Sequence, residues 1–183
     1  MGLNTASQLG DGTTTNRTTL TQLGTDFDWI EISSAGAHTV ALKEDGTLWA
    51  WGANTNGQLG DNSTTARTTP VQIGTDTDWK SIAASGSRTL ALKQNGTLWG
   101  WGLNTNGQIG DNSTTQRNAP VQVGTATDWR SITAGTTHSM AIKNNGTLWA
   151  WGLNSSNQLG DGTTTQRNAP VQIGAATDWR SIS

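Results

Sequence analysis

Any chemistry in this chain has to come from its carboxylates, its two histidines or its hydroxyls, because cysteine is absent. Without a thiol there is no disulfide frame, no thiolate nucleophile and no cysteine-based metal site. His38 and His138 stand far apart in the chain, and no His-Glu-x-x-His pattern joins either to a zinc site. Paired carboxylates can do general acid and base work. Asp26 with Asp28 and Asp76 with Asp78 have that form, but the later counterparts are Ala126 and Ala176, which leaves Asp128 and Asp178 alone. The retained aspartate is therefore read as a hydrogen-bond acceptor in the turn entering a strand. Asn54-Thr55-Asn56-Gly57 followed by Asp61 has a faint calcium-loop outline. Such loops need several carboxylates, and only Asp61 is charged, so Asx turns are the expected reading. Serine and threonine are plentiful but have no histidine base beside them, and no phosphate-binding Gly-x-x-x-x-Gly-Lys-Ser/Thr occurs. The expectation is a chain with no catalytic residue, no cofactor and no metal, and not an enzyme.

What positions these residues is a repeat. Gly2-Leu3-Asn4-Thr5 with Gln8-Leu9-Gly10-Asp11 returns at Gly52, Gly102 and Gly152, a period of 50 residues without insertion or deletion. Arg17, Arg67, Arg117 and Arg167 keep that register. So do Trp29, Trp79, Trp129 and Trp179, and Trp51, Trp101 and Trp151. Pro70, Pro120 and Pro170 recur too, with Leu20 at the first such position. The 183 residues hold about three and two-thirds units.

Each unit reads as four short strands. Trp79–Ala83 alternates apolar and polar side chains; Thr89–Lys93 and Thr97–Trp101 follow, joined at Asn95-Gly96, a tight hairpin signal. A polar loop from Gly102 to about Asn118 leads to a short fourth strand, Pro120–Gly124, whose proline suits an edge. Nothing shows sustained helical periodicity. The prediction is an all-β chain, a β-propeller of four-stranded antiparallel blades and a partial ring of about three and a half blades. Residues 1–28 supply the outer strand of an incomplete blade (about Thr19 to Gly24), 29–78, 79–128 and 129–178 are blades, and 179–183 are the inner strand of another. The ten tryptophans are expected to pack between blades, each burying on the order of 200 Å².

The string Ala91-Leu92-Lys93, Gly96-Thr97-Leu98-Trp99, Trp101-Gly102-Leu103-Asn104, Gly107-Gln108-Ile109-Gly110-Asp111 resembles the repeat of the regulator of chromosome condensation family. The resemblance covers essentially the whole chain, and the Thr/Asn-rich loops with near-identical copies look like the bacterial members. It implies seven-bladed propellers that act as exchange factors for a small GTPase, as inhibitors of other proteins or as binding modules. The family's repeat histidine is His38 and His138 here but Arg88 in the middle copy, which points to a side chain bonding backbone between blades. Exchange-factor members act through inserted loops that break the repeat; every complete unit here keeps 50 residues, which argues against exchange. Arg17, Arg67, Arg117 and Arg167 are read as fixing their loops by pairing with the aspartate six residues earlier, as Asp61 stands to Arg67.

A pI near 5.5 with eleven thinly spread basic residues leaves no footprint for nucleic acid, and no run of about 18 apolar residues spans a membrane. Seven such blades would take about 350 residues, and a lone arc leaves open faces and strand edges that template association. The expected partner is the chain itself, most simply as a homodimer with some terminal strands displaced. Beyond that, the expected role is a non-catalytic scaffold offering loop faces to an unidentified protein. A carbohydrate-binding propeller is the alternative, because near-identical loops suit a repetitive glycan. The low charge, absent cysteine and Thr/Asn/Gly enrichment resemble exported bacterial repeats and imply an extracellular or cell-surface parent protein.

Overall fold

The computed structural model describes residues 1–183 and holds twelve strands in three separate four-stranded sheets, with no helix. Blade 1 is β1 (Trp29–Ser34), β2 (His38–Lys43), β3 (Leu48–Gly52) and β4 (Arg67–Gln72). Blade 2 is β5 (Trp79–Ser85), β6 (Arg88–Lys93), β7 (Leu98–Gly102) and β8 (Arg117–Gln122). Blade 3 is β9 (Trp129–Ala134), β10 (His138–Lys143), β11 (Leu148–Gly152) and β12 (Arg167–Gln172). In every sheet neighbours in sequence are neighbours in space and run antiparallel. The middle hairpins close where the sequence places Asp-Gly or Asn-Gly. Gly46, Gly96 and Gly146 take φ near +78°, and each donates its N–H to the preceding lysine carbonyl at 2.9–3.0 Å.

The outer strands begin three residues earlier than the prolines suggest, at Arg67, Arg117 and Arg167, because Gly52, Gly102 and Gly152 already pair with those arginines across a bulge. Pro70, Pro120 and Pro170 then sit inside an edge strand, where a missing donor faces away from the ladder.

Alternation along the strands gives each blade two apolar faces. Val40, Leu42, Leu48 and Ala50 of blade 1, with Leu59 and Ile73 from its loop and outer end, meet Trp79, Ile82, Ala91 and Trp101 of blade 2. Leu90, Leu92 and Leu98 of blade 2, with Ile109 and Val123, meet Trp129, Ile132, Ala141 and Trp151 of blade 3. An indole that buries about 200 Å² gains at most roughly 5 kcal/mol by leaving water, so these junctions are the core.

Two expected strands do not form. Residues 19–24 join no sheet; the amino-terminal stretch makes only an isolated Gly2–Arg17 bridge, the remnant of the Gly52–Arg67 pair. Residues 179–182 are likewise outside any ladder. Both lack a neighbour in these 183 residues, a third strand for the first and a second strand for the other. The arc therefore has three complete blades, with the terminal segments of the incomplete ones outside any ladder.

Candidate interaction site

The long polar loops after β3, β7 and β11, and the matching loop at residues 3–16, are built around a buried asparagine. Asn54 is fully buried; its amide donates to Asp61 Oδ1 at 2.9 Å and to the Ser63 and Thr65 carbonyls, and its Oδ1 accepts from the Leu59 N–H at 3.0 Å. Asp61 in turn accepts from Ser63 and from Arg67 Nε at 2.7 Å. Asn4, Asn104 and Asn154 repeat the pattern, with Arg17–Asp11, Arg117–Asp111 and Arg167–Asp161 pairs. Burial works against the charged form of Asp61 and Asp111, but hydrogen bonds from Ser63 and Arg67, and from Ser113 and Arg117, hold both carboxyls below the usual range. Asp161 is held down to about 2, chiefly by Thr163 and then Arg167. The arginines are thereby committed to their own loops.

Each loop docks on the blade that follows it. Trp51 Nε1 donates to the Gln8 carbonyl at 2.9 Å, Trp101 to Gln58 at 3.0 Å and Trp151 to Gln108 at 3.0 Å. The hydroxyls of Thr39, Thr89 and Ser139 donate to the same three carbonyls. The indole lies flush on a glycine: a Cβ at Gly60 would come within 2.7 Å of Trp101, and Gly10 and Gly110 are equally tight. Backbone N–H groups of Gly12, Asn62 and Asn112 add bonds to Thr68, Asn118 and Asn168. The fourth loop, residues 153–166, keeps the Asn154 bonds to Asp161, Thr163 and Leu159 but has no following blade beside it. The Gln158 carbonyl receives no such donor, and the nearest atom to a Cβ at Gly160 is on Ile173 at 3.8 Å.

A second repeated feature escaped sequence reasoning. Trp29, Trp79 and Trp129 meet Trp49, Trp99 and Trp149 edge to face at 5.8–6.0 Å. Over each pair lies a lysine: Lys43 and Lys93 at 4.8–5.0 Å from the ring centroids, Lys143 at 4.7–4.8 Å. Lys43 pairs with Asp26 and Asp28, Lys93 with Asp76 and Asp78, and Lys143 with Asp128. The aspartates expected to serve a turn are thus counter-ions of a caged ammonium. The recurrence of lysine after Ala-Leu or Ala-Ile was the available signal. Trp179, bonded through its backbone to Gly146 and Arg130 of blade 3, has no indole or lysine partner and is 41% exposed.

The His38 and Arg88 side chains lie between blades, while their counterpart His138 stands half-buried at the open end of blade 3. His38 Nε2 is 3.2 Å from Thr89 Oγ1, and burial holds its imidazole neutral down to about 4 against a smaller opposing effect of the Arg88 backbone. Arg88 donates from Nη1 to the Thr136 carbonyl at 2.9 Å and from Nη2 to the His138 carbonyl and Ser139 Oγ. Burial pushes its guanidinium down to about 10. No three His, Asp or Glu side chains converge as metal ligands.

The amino-terminal face of blade 1 exposes apolar side chains. Ile32 is 66% exposed and Ile30 62%, beside Trp29. A cleft of about 300 Å³ opens there, lined by Leu23, Trp29, Ile30, Ile32, Ala41 and Trp51. At the opposite end Ile142, Leu148 and Ala150 are buried although no fourth blade stands beyond blade 3.

Known proteins place this geometry. A profile described as the regulator of chromosome condensation (RCC1) repeat matches residues 45–92, 95–142 and 145–183, and a second profile of the same repeat matches 29–58, 79–108 and 129–158. No curated protein sequence matches the chain. Among solved structures, Prp20p from Saccharomyces cerevisiae is 26% identical at a TM-score of 0.74 over 81% of this chain and 39% of its own. The same yeast RCC1 (Prp20) bound to Kap60 gives 27% and 0.73, over 81% of this chain and 37% of that one. Human WBSCR16 shares the fold at 23% identity and a TM-score of 0.79, over 93% of this chain and 46% of its own. The chain spans less than half the length of these relatives. With three repeats matched on three four-stranded blades, the chain belongs to the regulator of chromosome condensation (RCC1) repeat family and is an arc of its β-propeller.

Proposed function

We propose that the chain is a non-catalytic β-propeller scaffold that self-associates to complete a ring and offers its loop rim to protein partners. One observation carries the reading: Ile32 is 66% exposed on blade 1, whereas its counterparts Ile82 and Ile132 are 5% and 9% exposed at junctions between blades. A face of this composition is covered wherever the chain provides a neighbour. Support for protein partners comes from the relatives, since Prp20p is described with binding properties toward Gsp1p and histones, and Kap60 is seen bound to it. GTPase exchange is less supported here, because the three loops after β3, β7 and β11 keep one length and one bonding scheme.

Near-identity of those loops is the one feature that favours a glycan-binding alternative. The indoles do not add to it, because lysines already lie over the Trp29/Trp49 pair and its counterparts. Light scattering over a concentration series tests the self-association, which predicts a mass above the 19.3 kDa of one chain. A monomer at every concentration overturns it. A glycan array with competition by free sugar tests the rim; saturable sugar binding replaces the protein scaffold with a lectin.

A further inference from the structure

Residues 1–33 and 151–183 occupy the same stretch of the repeat, carried at both ends of the chain. Each end orders only part of it as sheet. At the carboxyl end β12 (Arg167–Gln172) is laddered to β11, whereas its counterpart, residues 17–22, has the lone Gly2–Arg17 bridge. At the amino end β1 (Trp29–Ser34) is laddered to β2, whereas its counterpart, residues 179–183, forms no ladder and is held to blade 3 only by the Trp179 N–H on the Gly146 carbonyl and by Arg130 on the Trp179 and Arg180 carbonyls. What one end holds firmly, the other holds loosely.

We propose that two copies join head to tail by exchanging these halves. Residues 152–172 of one copy replace residues 2–22 on the next copy's blade 1, and that copy's β1 replaces residues 179–183. Residues 2–22 are then a built-in cap on the docking site. This rests on the self-association proposed above and specifies how it happens.

The donor is ready-made. In the loop 153–166, Asn154 is fully buried and bonded to Asp161, Thr163 and Leu159, yet the Gln158 carbonyl and Gly160 lack the indole that every other loop meets. The acceptor exists as well: Trp51 and Thr39 donate to Gln8, the repeat counterpart of Gln158. The cap adds Gly12 on Thr68 and Gln8 Nε2 on the Gly36 carbonyl but little apolar cover, since Leu3 and Leu20 are 68% and 85% exposed. The incoming segment arrives tied to its own sheet. It brings Ile142, Leu148 and Ala150 against Trp29 and Ile32, as Leu42, Leu48 and Ala50 meet Trp79 and Ile82 inside the chain. Exchange therefore adds an apolar junction that the cap cannot supply. Because the halves cancel, each chain contributes three blades, and two chains contribute six. Six lies within the range of four to eight blades that closes a propeller, whereas three chains exceed it, so the product is a six-bladed dimer.

The test is one substitution made at two equivalent positions and read by sedimentation velocity across concentration. Asn4→Ala loosens the cap and strengthens dimerisation by roughly tenfold or more. Asn154→Ala disorganises the donor loop and weakens dimerisation by a similar factor. Opposite signs support exchange; equal signs, or no change in either, overturn it. If the wild-type chain dimerises while both variants move together, self-association stands and exchange falls. Should a variant fold poorly, hydrogen exchange on the wild-type chain decides. Amides of residues 2–22 exchange faster as concentration and dimer fraction rise, while β1 to β12 stay protected. Equal or greater protection of residues 2–22 in the dimer overturns the proposal.

Discussion

Three isoleucines at one repeat position meet two environments. Ile82 and Ile132 are shut inside junctions, and Ile32 stands in solvent on the corresponding inner strand of blade 1. The loops make the same comparison from the other side. Those at 53–66 and 103–116 are clamped beneath Trp101 and Trp151, while 153–166 keeps the same fold unclamped. A blade therefore forms its ladders and its loop by itself, but burial comes from the neighbour. That is the nearest-neighbour logic of repeat proteins, in which interface terms decide stability.

The largest contrast is expected between Trp129 and Trp179, one position and two environments, 4% and 41% exposed. Trp129→Ala removes an indole from the junction of blades 2 and 3 and from over Lys143, and should cost about 4 kcal/mol by urea denaturation. Trp179→Ala should cost less than about 1 kcal/mol. Equal costs would mean that residues 179–183 form part of the core and that the end is not open. The same logic applies to Ile82→Ala, at about 3 kcal/mol, against Ile32→Ala, below about 0.5 kcal/mol at concentrations where the chain is monomeric.

Acid should expose the junctions next. His38 stays neutral in the fold down to about 4, whereas an unfolded imidazole titrates near 6.5. Between those values the unfolded chain binds a proton that the folded chain refuses. The His38 contribution is thus complete above pH 6.5 and is lost as pH falls toward 4, up to about 3 kcal/mol. Asp61 and Asp111, whose carboxyls are depressed, extend the loss below the unfolded carboxylate range. His38→Gln should flatten the slope of the urea midpoint between pH 6.5 and 4. His138, half-buried at the open end and shifted the same way by burial and then by Arg88, should leave most of the slope in place when replaced by Gln.

Much of this was legible in the residues. The 50-residue period gave three blades, the Asn-Gly turns gave the hairpins, and the arginine-to-aspartate spacing anticipated the pairs the structure holds. The outer-strand starts were misplaced because proline marks an edge position without showing where pairing begins. The strands expected at 19–24 and 179–182 failed for a different reason. A strand is a relation between segments, and local alternation cannot say whether a partner is present. The lysine cage was hidden because its members are spread over three strands and a turn, meeting only once the bulge after Trp29 sets the register.

That cage yields the smallest expected effect and the sharpest check on where junction stability resides. Lys93 lies over Trp79 and Trp99 with Asp76 at 2.6 Å and Asp78 at 2.9 Å; Lys143 manages with Asp128 alone, because Ala126 stands where Asp76 does. Burial lowers the Lys93 pKa, and the hydrogen bonds it donates to Asp76 and then Asp78 reverse this, so the ammonium stays charged. Asp76 is half exposed, and an exposed pair is worth less than about 1 kcal/mol. Asp76→Ala should therefore shift the urea midpoint only slightly, and a cycle with Lys93→Met should give a coupling below about 1 kcal/mol. A coupling above about 2 kcal/mol would place the ion pairs beside the indoles as determinants of the junction. Blade 3, with one aspartate fewer, would then be the weakest blade for a reason unrelated to its position at the end.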